Sequence, residues 1–277
     1  MTRSRRLTAA VAGIALLYAG SSGLAAAQDA VAAPKQGRFS LGAGATGEFL
    51  LESSALNSIT RELDSLAALS DALPDAPGTL EFNEASLDDF YGSLVGVQLT
   101  GSYGLTDSIE LFARAGYLES GSATTLDGSL VETSGSFSAF QGQVTTQLDD
   151  YQEFNLQVGA RYFFNEGGSL RPFVGGYGGV RFIDSVGATV EASDGETTAT
   201  IFEGGFFDDT TALVAGGEIG LAFSFTPNFT FSVNAGINWT DDWDIDYTDL
   251  APAGIGELGD TGRRISFPLG GRFTYTF

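Results

Sequence analysis

The chain has 277 residues, a formal net charge of −22, 38 glycines and 22 phenylalanines, and it contains neither cysteine nor histidine. Without cysteine there is no disulfide or thiolate chemistry; without histidine the usual general base near neutral pH and the commonest metal ligand are gone. So acidic a chain is not a nucleic-acid binder.

At the N-terminus Arg3, Arg5 and Arg6 precede an apolar run from Leu7 to about Ala19, then small residues ending in Ala25-Ala26-Ala27. That order reads as a secretory signal peptide over residues 1–27. Its apolar run is shorter than the roughly 20 residues of a membrane-spanning helix. Removing three of the 13 basic residues leaves 10 against 35 acidic ones, a formal charge of −25. No 18-residue apolar run follows, so only a β-barrel could cross a membrane. Residues 28–37 read as a short periplasmic lead-in and 38–277 as the barrel.

Period-two alternation, the signature of a strand with one apolar face, then recurs along the chain. It is weak at 38–50 and 93–104. At 109–118 Ile109, Leu111, Ala113, Ala115 and Tyr117 face away from Glu110, Phe112 and Arg114. At 154–164 Phe154, Leu156, Val158, Ala160 and Tyr162 oppose Gln157, Arg161 and Phe163. A weaker strand covers 170–183, and a stronger one covers 213–225, where Leu213, Ile219 and Leu221 oppose Glu218. The clearest is 229–239, in which all six odd positions are apolar and all five even ones are polar or glycine. The last, 264–277, sets Ile265, Phe267, Leu269, Phe273, Tyr275 and Phe277 against Arg264, Ser266 and Arg272. Eight strands of about 11 to 14 residues suffice to cross a bilayer when tilted.

The connections alternate in length. "LTDS", "NEGGS" and "TPN" are tight turns, whereas 51–91, 119–153, 184–210 and 241–263 are long. Those four segments hold 29 of the 35 acidic residues, with only Arg61 and Arg263 as basic partners. The topology expected is an eight-stranded antiparallel up-and-down transmembrane β-barrel, turns in the periplasm and long loops outside. A hairpin within 129–148 would raise the count to ten. In the first loop Leu56, Ile59, Leu63, Leu66, Leu69 and Leu73 stand at helical spacing before Pro74 and Pro77, which predicts an amphipathic helix of about 18 residues.

Strand charges fall mostly on the polar face: Glu48, Glu110, Arg114, Arg161, Arg171, Arg181, Glu218 and Arg272. An arginine turned to lipid at mid-bilayer would cost roughly 2–4 kcal/mol, so this set belongs inside, able to pair with itself. Phe112, Gln157, Phe163, Phe173 and Tyr177 point the same way. An eight-stranded barrel has room for such side chains and little else. "GAGATG" at 42–47 matches a dinucleotide-binding fingerprint but lacks the following helix, and it reads with "GGYGG" at 175–179 as packing in a narrow barrel. Asp241, Asp242, Asp244, Asp246 and Asp249 form an acidic run whose chemistry suits Ca²⁺ but whose spacing is not an EF-hand. A solvated acidic loop is the plainer reading, so no cofactor is expected apart from calcium at this loop.

Together, the signal peptide, the alternating strands, the turn–loop asymmetry and the terminal "RFTYTF" resemble small outer-membrane β-barrels of the OmpA, OmpX and OmpW kind. The resemblance implies an integral protein of the cell outer membrane in contact with its lipid. It also implies that Phe273, Tyr275 and Phe277 are read by the barrel-assembly machinery while serving as a lipid-facing girdle. The function expected is structural or surface-interactive: a monomer whose acidic loops are open to divalent cations or basic ligands. A narrow channel for small solutes is the alternative, and a secreted β-sandwich is a further one. Barrel enzymes of that membrane pair a histidine with serine or aspartate, and this chain has none.

Overall fold

The structure is a computed structural model that describes residues 34–242, apart from 53, 57, 134–139 and 167, and residues 264–277. In chain order the elements are β1 (Phe39–Glu52), β2 (Ser54–Leu56), β3 (Ile59–Leu63), β4 (Gly78–Phe82), β5 (Ala85–Ser86), the single-turn α1 (Leu87–Phe90), β6 (Ser93–Gly104), β7 (Ile109–Ser120) and β8 (Ala123–Glu132). Then follow β9 (Gln141–Leu148), β10 (Tyr151–Phe163), β11 (Leu170–Ile183), β12 (Val186–Ser193), β13 (Thr198–Phe207), β14 (Thr210–Ser224), β15 (Phe229–Thr240) and β16 (Arg264–Thr276).

Eight of these close into an antiparallel barrel in the order β1-β16-β15-β14-β11-β10-β7-β6. The period-two pattern predicts its two faces. Val158 and Ile219 on the outside are 66% and 65% exposed, whereas Arg161 and Arg181 on the inside are 2% and 0% exposed. Apolar side chains face out and charged ones face in, the reverse of a secreted β-sandwich. At the turn end the outer face carries a band of paired rings: Phe39 with Tyr103, Tyr162 with Phe164, Phe223 with Phe225, and Tyr275 with both Phe229 and Phe277. Tyr275 and Phe277 belong to this band, and Phe273 stands on the same outer face beside Phe231. The last strand does not fray, because β16 pairs with β1 from Ser40–Thr276 onward and the Phe277 N–H donates to the Phe39 carbonyl at 2.9 Å.

The three long connections 51–91, 119–153 and 184–210 are not loops. Their hairpins assemble into a six-stranded sheet ordered β13-β12-β9-β8-β4-β3. That order repeats the barrel's β14-β11-β10-β7-β6-β1 strand for strand, so the sheet is the barrel wall carried past its rim. β8, β10, β12 and β14 are each joined to the preceding strand by two residues. At these joints the inward positions are three apart, as in Leu148 to Tyr151 and Ile183 to Val186, all of them buried. The alternation therefore changes phase there. Below the joints the inside mixes charged residues with buried rings such as Phe112, Phe163 and Phe173; above them Leu80, Phe82, Leu130, Val144, Leu148, Val190 and Ala192 build an apolar core with Leu66, Leu73 and Phe90. Outward stand Glu81, Gln143, Gln147 and Glu191.

Two expectations are corrected. The 129–148 hairpin exists as part of β8 and β9, but it lies in this upper sheet, and the barrel keeps eight strands. The 18-residue helix does not form: Ile59–Leu63 is the edge strand β3, and only Leu66–Ala68 makes a 3₁₀ turn. The chain doubles back here, with Leu66 N–H donating to the Ala76 carbonyl at 2.8 Å. Sheet pairing with β4 and burial of Leu66 and Leu73 in the core outweigh the helical spacing of the leucines. The signal peptide lies outside the described residues.

If the upper sheet is a folded unit, Leu130→Ala should weaken it by about 2–5 kcal/mol, since Leu130 is fully buried. The expected outcome is faster protease cleavage within 121–150 while the barrel strands stay as protected as in the wild type.

Candidate functional site in the barrel lumen

Inward positions of seven barrel strands meet in two tiers of charge. In the tier nearer the upper sheet, Arg181 bridges Glu48 at 2.9 Å and Glu153 at 2.6 Å. Arg264 bridges Glu153 at 2.8 Å and Glu48 at 3.5 Å. The remaining lone pairs are taken up locally. Tyr151 donates to Glu153 at 2.6 Å, Ser266 to Glu48 at 2.5 Å and Asn238 to Glu48 at 3.2 Å. In the barrel order β1 and β11 stand opposite one another, as do β10 and β16. The Glu48–Arg181 and Glu153–Arg264 pairs therefore tie opposite walls together across the pore.

The second tier is centred on Arg161, which bridges Glu110 at 2.7 Å and also pairs with Glu218. Arg161 and Glu110 are direct cross-strand partners on β10 and β7. Arg114 approaches Glu218 at 3.4 Å and donates to Gln157 at 2.8 Å. Rings cover these cations: Arg161 lies 3.9 Å from the Phe112 ring centroid and Arg114 4.6 Å from that of Tyr177. Both distances suit cation–π attraction. Tyr177 also joins the tiers, because its hydroxyl donates to Asn238 at 2.5 Å. Space for that ring comes from Gly216, where a Cβ would come within 2.7 Å of it.

Of the predicted inward set, Glu48, Arg181, Glu110, Arg114, Arg161 and Glu218 are thus brought together. Arg171 is buried near the turn end, donating to the carbonyls of Phe163 at 3.3 Å and Phe164 at 3.2 Å. Arg272 is inward too and lines one cavity with Glu110 of the second tier, but it makes no ion pair within 4.0 Å among the described residues. Glu153, Arg264 and Tyr151 are central residues absent from that set. The sequence pattern places Glu153 in the acidic segment 119–153, which the structure corrects: it belongs to β10 and is 1% exposed. Its signal is present, since 153, 157 and 161 share one parity. "GAGATG" lies within β1, paired on both sides, with no helix after it.

Of the acidic run, Asp241 and Asp242 follow β15, whereas Asp244, Asp246 and Asp249 lie outside the described residues. Among the described residues no group of three acidic side chains is placed to hold a metal ion.

An apolar belt around a polar, filled interior defines the protein as an eight-stranded transmembrane β-barrel of the outer-membrane type. No family model matches the sequence, and no curated protein matches it. Among solved structures, the chain is similar to Neisserial surface protein A, with 11% identity over 86% of this chain and 97% of that one, TM-score 0.39. It is likewise similar to the attachment invasion locus protein Ail of Yersinia pestis, with 12% identity over 87% and 99%, TM-score 0.37. A third likeness is outer membrane protein OprG from Pseudomonas aeruginosa, with 12% identity over 88% and 97%, TM-score 0.39.

Arg181→Met removes one cation from two buried carboxylates and should cost about 3–5 kcal/mol, the usual penalty for stranding a buried charge. Adding Glu153→Gln to it should return part of that loss. Urea unfolding of the refolded protein in micelles, run as a double-mutant cycle, reads both values.

Proposed function

We propose that the protein is a closed outer-membrane barrel whose role is structural or surface-interactive, holding an acidic β-sheet outside the cell. The observation that carries this reading is the pair of ion bridges, Glu48–Arg181 and Glu153–Arg264, that join opposite walls. A solute crossing the lumen would have to part guanidinium from carboxylate in a low-dielectric interior, where each unpaired charge costs several kcal/mol. This supports a plug in preference to a narrow channel. A catalytic role draws no support from the same carboxylates, since Glu48, Glu110, Glu153 and Glu218 are each engaged by an arginine. Planar-bilayer recording on refolded protein is the test. Wild type should show no steady open state, and Glu48→Gln/Arg181→Met should raise the frequency of openings. A stable wild-type conductance abolished by blocking the lumen would establish the channel instead.

The acidic segments carry a second part of the reading. Leaving out the lumen residue Glu153, the four long connections hold 28 acidic residues against two arginines, and calcium or basic ligands are their natural partners. Chelation should then speed proteolysis within 241–263. Equal cleavage with and without chelator would dismiss calcium.

A further inference from the structure

The lumen is not electrically balanced. Among the described residues, six inward arginines (114, 161, 171, 181, 264 and 272) face four inward glutamates (48, 110, 153 and 218), an excess of two positive charges in an interior shielded from water. Arg114, Arg161, Arg181 and Arg264 sit in the two tiers of ion pairs, and Arg171 is bonded to carbonyls at the turn end. Arg272 differs. It is 5% exposed, has no carboxylate within 4.0 Å among the described residues, and its hydrogen bond to Thr100 is 3.5 Å long. A guanidinium stays charged in proteins and offers five N–H donors, so most of this group's capacity is left open.

Beside Arg272 the lumen holds a cavity of about 10 Å³, lined by Arg272, Ser232, Thr230, Thr274, Glu110 and Phe163 among others. Ser232 is 3% exposed, and its hydroxyl has no hydrogen-bond partner among the described residues. Two independent buried donors thus line one small space. Glu110 lies on the same cavity, but its oxygens accept from Arg161 at 2.7 Å and from Ser102 at 3.0 Å. The guanidinium stem owes its position to Gly42, where a Cβ would meet Arg272 Cδ at 2.9 Å and Thr274 Oγ1 at 2.8 Å.

We infer that Arg272 and Ser232 form a binding site for one monatomic anion of halide size inside the barrel. The volume admits a body about as large as one water molecule, which excludes phosphate, sulfate and carboxylate ligands. Charge selects an anion over water: the ion receives hydrogen bonds from Arg272 and Ser232 and offsets half of the lumen's excess. Chloride is the ligand that this chemistry describes, and it would act as a structural ion of the turn-side half.

The test uses the refolded full-length protein. Crystals grown in sodium bromide should give an anomalous peak within hydrogen-bond reach of Arg272 and Ser232. At equal sodium and equal ionic strength, the thermal unfolding midpoint should stand about 2–4 °C higher in chloride than in gluconate. That difference should vanish in Arg272→Gln and shrink in Ser232→Ala. Should Arg272→Gln fail to fold, the bromide map and Ser232→Ala decide the matter alone. Solvent density without an anomalous signal at the cavity, or identical wild-type midpoints in the two salts, would overturn the site.

Discussion

Carboxylate–guanidinium pairing across a narrow lumen is the interaction on which the architecture rests. At barrel dimensions of eight strands, side chains from opposite walls can touch, and here they do so as charge pairs. Taking such ions from water is costly, and their attraction repays the cost only with good geometry and satisfied lone pairs. The upper tier meets that requirement with Tyr151, Ser266 and Asn238, and the lower one with Gln157, Asn234 and Ser102. Because the two widest bridges link β1 with β11 and β10 with β16, they fix which strands stand opposite. They tie closure of the cylinder to contact between its facing walls.

Around that interior the same chain solves two different solvation problems. Where hydrocarbon surrounds the wall, backbone groups are satisfied by the closed ladder and apolar side chains turn outward. Where water surrounds it, the hairpins of three connections keep the wall's strand order but bury Leu130, Val144 and Val190 on its inner side. Loops of such composition would otherwise expose a large apolar area, which soluble surfaces avoid. On its outer side stand acidic residues such as Glu81 and Glu191, held in place by the strands that carry them.

Much of the barrel is legible in the amino-acid pattern because its strands sit between two contrasting media. The stretch from Phe229 to Trp239 is the plainest case, apolar at every odd position. The inward set is legible for the same reason. Glu153 and Arg264 are harder, since each stands near the end of a strand, where an acidic or basic neighbour reads as part of the adjoining segment. The upper sheet is harder still. Its alternation changes phase at every two-residue joint, and a bulge between Leu126 and Gly128 breaks it again within β8. The helical spacing from Leu56 to Leu73 misleads for a different reason. Apolar residues three and four apart satisfy a helix locally, yet Ile59 and Leu63 pair with β4 and Leu66 joins the core, contacts that no short window contains.

The phase change at the joints has a mechanical consequence. Outward-facing side chains are greasy beneath that ring of joints and hydrophilic above it, and the switch occurs within two residues on four neighbouring strands. Sliding the molecule deeper would drown Gln143 and Glu191 in oil; lifting it would wet Tyr117 and Phe182. One residue of strand advances about 3.3 Å, so the covalent chain itself sets how high the protein floats, much as a load line marks the draught of a hull.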